Sequence, residues 1–181
     1  MGSSSGTVQH LVVLGIILLS TNAFGVHARK LRIHKLEKLS QEEEYLHSRL
    51  RIAEFEENVL KVSGELKLHH HLDNDWMIEF KVSRSVDGDG NYERIMLFEV
   101  QLCDFMKTYY KDFLYERLKE YSNAPHPNTC PLPKEHYHLE DYPLDVRVLK
   151  KLMTPGHYRI KSKLKNEDSV ILAYMAEVEV D

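Results

Sequence analysis

From Val170 to Val180 every second residue is apolar: Val170, Leu172, Tyr174, Ala176, Val178 and Val180. Only an extended chain puts residues two apart on one face, so this run predicts a strand with one buried face. The same period recurs upstream, in Val62, Gly64, Leu66, Leu68, His70 and Leu72, then in Trp76, Ile78, Phe80 and Val82. It returns in Met96, Phe98, Val100 and Leu102, in Tyr142, Leu144, Val146 and Val148, and in Tyr158, Ile160 and Leu164 after the Pro155-Gly156 turn. Val86 to Asn91 is a run of turn residues, which predicts a hairpin between its flanking strands. About seven strands, each with one apolar face, predict a mainly β domain: an immunoglobulin-like β-sandwich or a closed β-cup.

One segment departs from that period. In Asp104 to Tyr121, Met106, Tyr110, Phe113, Leu114, Leu118 and Tyr121 recur at helical spacing, with Asp104 or Thr108 as the expected cap. The turn at Asn123-Ala124-Pro125 ends the helix.

The front of the chain sets the compartment. Leu11 to Phe24 is apolar but turns polar at Ser20, short of the ~20 residues a bilayer span needs. Val26-His27-Ala28 offers a small-x-small cleavage pattern, so residues 1–28 are expected to be a secretory signal peptide and the mature chain to be extracellular. No other stretch is apolar enough for an integral membrane span. Residues 29–49 read as a charged leader or short, weakly amphipathic helix, which leaves 50–181 as the folded domain. Arg29 to Arg51 holds 7 basic and 4 acidic residues against 17 basic and 24 acidic in the remainder, and the net charge is −4. An acidic body on a secretory route excludes a nucleic-acid partner.

Cys103 and Cys130 are the 2 cysteines of the chain, and in an oxidising compartment they are expected to form one disulfide. The bridge would tie the helix, through its proline-rich return loop YSNAPHPNTCPLPKEHYH (residues 121–138), across a sheet. The histidines suggest metal only weakly. His136 and His138 share a strand face, as do His69 and His71, yet nothing identifies the further ligands a zinc site requires. There is no Gly-x-Ser-x-Gly elbow and no carboxylate pair that stands out, so no catalytic residue, metal or cofactor is expected.

The segments FEVQLCDF, YSNAPHPNTCPL, HYHLEDYPLD and TPGHYRI, in this order around a helix, resemble the secreted insect family catalogued as domain of unknown function 1091. That family includes the CheB chemosensory proteins and is similar to the ML (MD-2-related lipid-recognition) and ganglioside-activator lipid carriers. The resemblance covers roughly Leu50 to Asp181. It implies an ML-like sandwich or cup with an apolar cavity and no catalytic residue.

The expected function is therefore that of a secreted, non-enzymatic binding protein for a small apolar ligand such as a lipid or hydrocarbon, with a chemosensory role in view. The alternative is an extracellular interaction module or receptor cofactor without a small ligand. Mostly apolar linings with few polar groups favour pockets. The expected interior wall is Phe80, Phe98, Val100, Tyr158 and Ile160, continued by Leu172 and Tyr174, with Phe113 and Leu118 of the helix closing over it.

Overall fold

The computed structural model describes residues 31–56, 59–147 and 153–181, side chains of 54–56 aside. The expected signal peptide, and Val148 of the fifth alternating run, lie outside the described residues.

Eight strands are present among the described residues: β1 (Leu31–Gln41), β2 (Leu46–Glu56), β3 (Val59–Leu68), β4 (Trp76–Ser85), β5 (Glu93–Gln101), β6 (His136–Asp145), β7 (Gly156–Asn166) and β8 (Ser169–Val180). They form two antiparallel sheets, a five-stranded one in the order β1-β8-β7-β4-β5 and a three-stranded one in the order β2-β3-β6. The mainly β expectation holds, with one strand more than the alternation predicts.

The extra strand corrects the reading of residues 29–49. Among the described residues of that segment there is neither a leader nor a helix: Leu31–Gln41 is β1, which pairs along β8 with Leu31 opposite Val180, Ile33 opposite Val178 and Leu36 opposite Ala176, and β2 begins at Leu46. Irregularities at Ile33/Lys35 and Lys38/Ser40 shift the phase of the strand. A bulge inserts a residue and breaks strict alternation, so the apolar positions 31, 33 and 36 imitate helical spacing. The boundary at residue 50 likewise falls inside β2, and the sandwich begins at β1.

Between β5 and β6 runs one helical segment, here α1 (residues 102–118). It opens as an α-turn over Leu102–Phe105, widens to a π-helix over Met106–Leu114 and closes as an α-turn over Tyr115–Leu118. Gln101, at the N-cap, makes no capping bond, and neither Asp104 nor Thr108 caps the start as expected; the Asn74 side chain instead accepts from the Cys103 amide at 3.2 Å. The Thr108 hydroxyl instead donates back to the carbonyl of Asp104 at 2.6 Å. The wider π repeat bonds i to i+5 and delays the return of each face. Tyr110, Leu114, Tyr115 and Leu118 thus belong to the core cluster while Phe113 does not.

The core lies between the sheets in two clusters. The larger gathers Leu46, Leu68, Leu72, Trp76, Leu132 and Ile171 with Leu102, Met106 and Tyr110 of α1. The smaller, toward the other end of β4 and β8, gathers Val82, Met153, Tyr158, Val178 and Val180. Each fully buried leucine contributes ~1.5–3 kcal/mol relative to exposure, so this packing carries the fold. Cys103 and Cys130 are joined as expected, with Cα atoms 5.6 Å apart.

The return loop secures the edge of β6. The Asn123 side chain donates to the carbonyl of His136 and accepts from the amide of His138, both at 2.8 Å. Glu140 N donates to Tyr121 O at 2.8 Å. An exposed sheet edge is a template for aggregation, and here a loop residue occupies the place of a neighbouring strand.

Candidate apolar binding cleft

A cleft of about 340 Å³ lies between the two sheets where α1 and its return loop cover them. The three-stranded sheet supplies Ser48 and Leu50 from β2, Gly64 and Leu66 from β3, and Tyr137 and Leu139 from β6. The opposite wall is Leu172 and Tyr174 of β8. Tyr110 and Leu118 of α1 close one side, with Ser122, Ala124, Pro125 and Leu132 of the loop.

Local chemistry fixes each wall. The helix is tied to the loop by the Tyr110 hydroxyl, which donates to the Pro125 carbonyl at 2.7 Å. Leu132 is held across the base by reciprocal backbone bonds with Leu72 at 3.0 and 2.8 Å. Gly64 lets β2 and β3 approach: a Cβ there would stand 2.7 Å from the Arg49 carbonyl oxygen, closer than real side chains come. At the rim Arg49, Glu65 and His138 line both the cleft and a polar groove of about 450 Å³ on the outer face of the smaller sheet.

Few polar groups reach the interior. Burial, aided by the neighbouring Tyr115 and Tyr137, holds the Tyr110 phenol far above its ordinary pKa. Burial first, and Glu135 second, also raises that of Tyr137. Both therefore stay protonated across the physiological range. The Tyr137 hydroxyl is buried and has no hydrogen-bond partner. In native structures such a group is the exception, and it is satisfied when something else supplies an acceptor. At the other wall the Tyr174 hydroxyl lies 2.9 Å from Ser48 Oγ.

Of the nine residues expected to line the interior, Leu118, Leu172 and Tyr174 line this cleft. The other six lie outside its lining. Tyr158 and Ile160 belong to the smaller cluster, where Tyr158 also donates to the Thr154 carbonyl at 2.6 Å. Phe98 packs edge-on against Tyr109 of α1 at 4.8 Å between ring centroids. Phe80 stands opposite Phe98 and Ser162, Val100 stands opposite Ile78, and Phe113 is half-buried on α1 outside the core cluster. Sequence reasoning missed Leu50, Leu66, Tyr110, Tyr137, Leu139 and the loop wall. Leu66 was legible as an alternating apolar position, and Tyr110 as a helical one. Which sheet faces the helix is set by long-range pairing that alternation does not encode.

The histidines do not converge. His69 Nδ1 lies 2.8 Å from the Glu43 carbonyl and His136 Nε2 3.2 Å from Glu65. Among the described residues no group of three or more His, Cys, Asp or Glu is placed to hold a metal ion. No helix among them is long and apolar enough to cross a membrane.

Comparison with known proteins finds a family model that is similar to part of this chain. Residues 78–160 match the family model described as protein of unknown function (DUF1091). The DUF1091 match runs from β4 through α1 and the return loop into β7, inside the wider span that the motifs suggest. It includes Cys103, Cys130 and the loop wall of the cleft, but not β2, β3 or β8. Chicken MD-1 complexed with lipid IVa is a similar solved structure, 13% identical, with a TM-score of 0.37 over 80% of this chain and 96% of that one. No curated protein matches the sequence.

Proposed function

We propose that this chain is a secreted, non-enzymatic carrier that holds one apolar or amphipathic small molecule in the cleft between α1 and the two sheets. The observation that carries this reading is the cleft itself: about 340 Å³, walled by Leu50, Leu66, Leu118, Leu132, Leu139 and Leu172, with few polar groups. That volume and that lining are those of small-molecule sites, which run ~300–1,000 Å³ and are mostly apolar. Secretion is supported by the apolar leader of residues 11–24 and by the Cys103–Cys130 bridge, which suits an oxidising compartment. A chemosensory role, and delivery of the ligand to an extracellular receptor, extend the same proposal through the family resemblance.

The test is titration of the purified mature chain with a fluorescent aliphatic probe. One probe per chain is expected, with uptake abolished by Leu172→Trp while the melting temperature stays near that of the parent. A parent that never takes up the probe contradicts the carrier reading and favours an interaction module without a small ligand.

A further inference from the structure

The polar corner of the cleft has a hydrogen-bond direction that can be worked out atom by atom. Lys38 Nζ and the backbone amide of Ser48 both lie 2.8 Å from one terminal atom of Gln41. An ammonium and an amide N–H can only donate, so that atom is the Gln41 carbonyl oxygen, Oε1, whichever way the amide group is drawn. Ser48 Oγ lies 2.9 Å from the same oxygen. Because Gln41 Oε1 has no hydrogen, the Ser48 hydroxyl must supply the proton between them. Ser48 Oγ is then an acceptor toward Tyr174, and across their 2.9 Å the Tyr174 hydroxyl is the donor. The proton of Tyr174 is thereby used, and Tyr174, which lines the cleft, brings to this corner an oxygen with lone pairs only.

We infer that the cleft selects a neutral amphiphile whose head carries an O–H or N–H group, donated to the Tyr174 oxygen. This inference rests on the carrier reading and names the chemistry of the head. An alcohol or primary amide meets the need. A carboxylate or an ether brings a second acceptor against an acceptor, unless the Ser48 hydroxyl turns its proton to Tyr174 and leaves the Ser48 and Gln41 oxygens 2.9 Å apart with no proton between them. Lys38 does not line the cleft; its ammonium donates to Gln41 Oε1 and, at 2.9 Å, to the Ser48 carbonyl. The orphan hydroxyl of Tyr137 can donate to the oxygen of an alcohol, an ether or a carboxylate alike, so it does not discriminate among them.

The test is displacement of the fluorescent aliphatic probe by three matched competitors: 1-decanol, its methyl ether and decanoate. In the parent, decanol should displace the probe at about three- to tenfold lower concentration than the other two, the worth of one net hydrogen bond. Tyr174→Phe should erase that preference and leave the ether unchanged. Ser48→Ala frees the Tyr174 proton for the ligand, and an alcohol, an ether and a carboxylate oxygen can each accept it, so the preference for decanol should shrink. Equal displacement by all three in the parent leaves the carrier reading standing and overturns the donor rule. A preference that survives Tyr174→Phe, or that Ser48→Ala does not reduce, overturns it as well. Failure of the probe and of all three competitors to bind overturns both.

Discussion

Replacing Cys103 and Cys130 together by alanine releases a loop of sequence separation 27 that carries most of α1 and the return loop. Loop-closure entropy for that length comes to ~3.5 kcal/mol at 25 °C, with the whole effect in the unfolded chain. The folded contacts should survive: Leu132 keeps its backbone bonds to Leu72, and Asn123 keeps its bonds to β6. Urea unfolding of parent and double variant, followed by far-ultraviolet circular dichroism, should therefore show a loss of ~3 kcal/mol. The m-value should rise, because the unlinked chain exposes more surface on unfolding. Probe affinity of the fraction that remains folded should be unchanged. A loss below ~1 kcal/mol with an unchanged m-value would refute the entropic account of the bridge. Folded protein that no longer binds would instead mean that the bridge shapes the cleft directly.

Three further outcomes follow from the same structure. Val178→Trp enlarges a residue packed with Met153, Tyr158 and Val180 and should cost ~1–3 kcal/mol of stability by overpacking, whereas Leu172→Trp, which faces the cleft, should cost less than Val178→Trp in the same urea assay. Asn123→Ala removes two hydrogen bonds at the β6 edge and should cost ~1–3 kcal/mol while raising light scattering on warming. Burial alone would raise the pKa of Glu79, but hydrogen bonds from Lys163 and Lys165 bring it down from 4.5 to about 2. A carboxylate depressed in this way stabilises the fold above its unfolded pKa. That contribution should fade as pH falls from about 4.5 toward 2, and Glu79→Gln should flatten the stability profile in that window.

The strands were legible where alternation runs unbroken. β8 and β4 follow from Val170–Val180 and Trp76–Val82 as extended segments, although the single buried face does not hold: Ile171, Ala173 and Met175 are buried on the face opposite Leu172 and Tyr174, and Glu79 is buried in β4. β1 was hidden because its two irregularities change the phase of Leu31, Ile33 and Leu36, and bulges leave no mark in the sequence beyond that change. The helix was legible from Met106, Tyr110 and Leu118, but nothing local announces a π-helical run, and Phe113 stands outside the core cluster that Leu114 and Leu118 join. For the cleft, residues on the inner faces could be named, and Leu172 and Tyr174 were. Alternation does not say where along a strand a second sheet and a helix stand apart. That is why Tyr158 and Ile160, on the same face of β7, lie in packed core instead of the cleft.

Photolabelling tests the central claim most directly. A long-chain alcohol with a diazirine in its tail, irradiated with the mature chain and mapped by peptide mass spectrometry, should mark the cleft. The account predicts one label per chain, on peptides that contain Leu66, Leu118, Tyr137 or Leu172, and competition by unlabelled alcohol. Labels scattered over the outer sheet faces, not competed and unaffected by Leu172→Trp, would contradict it.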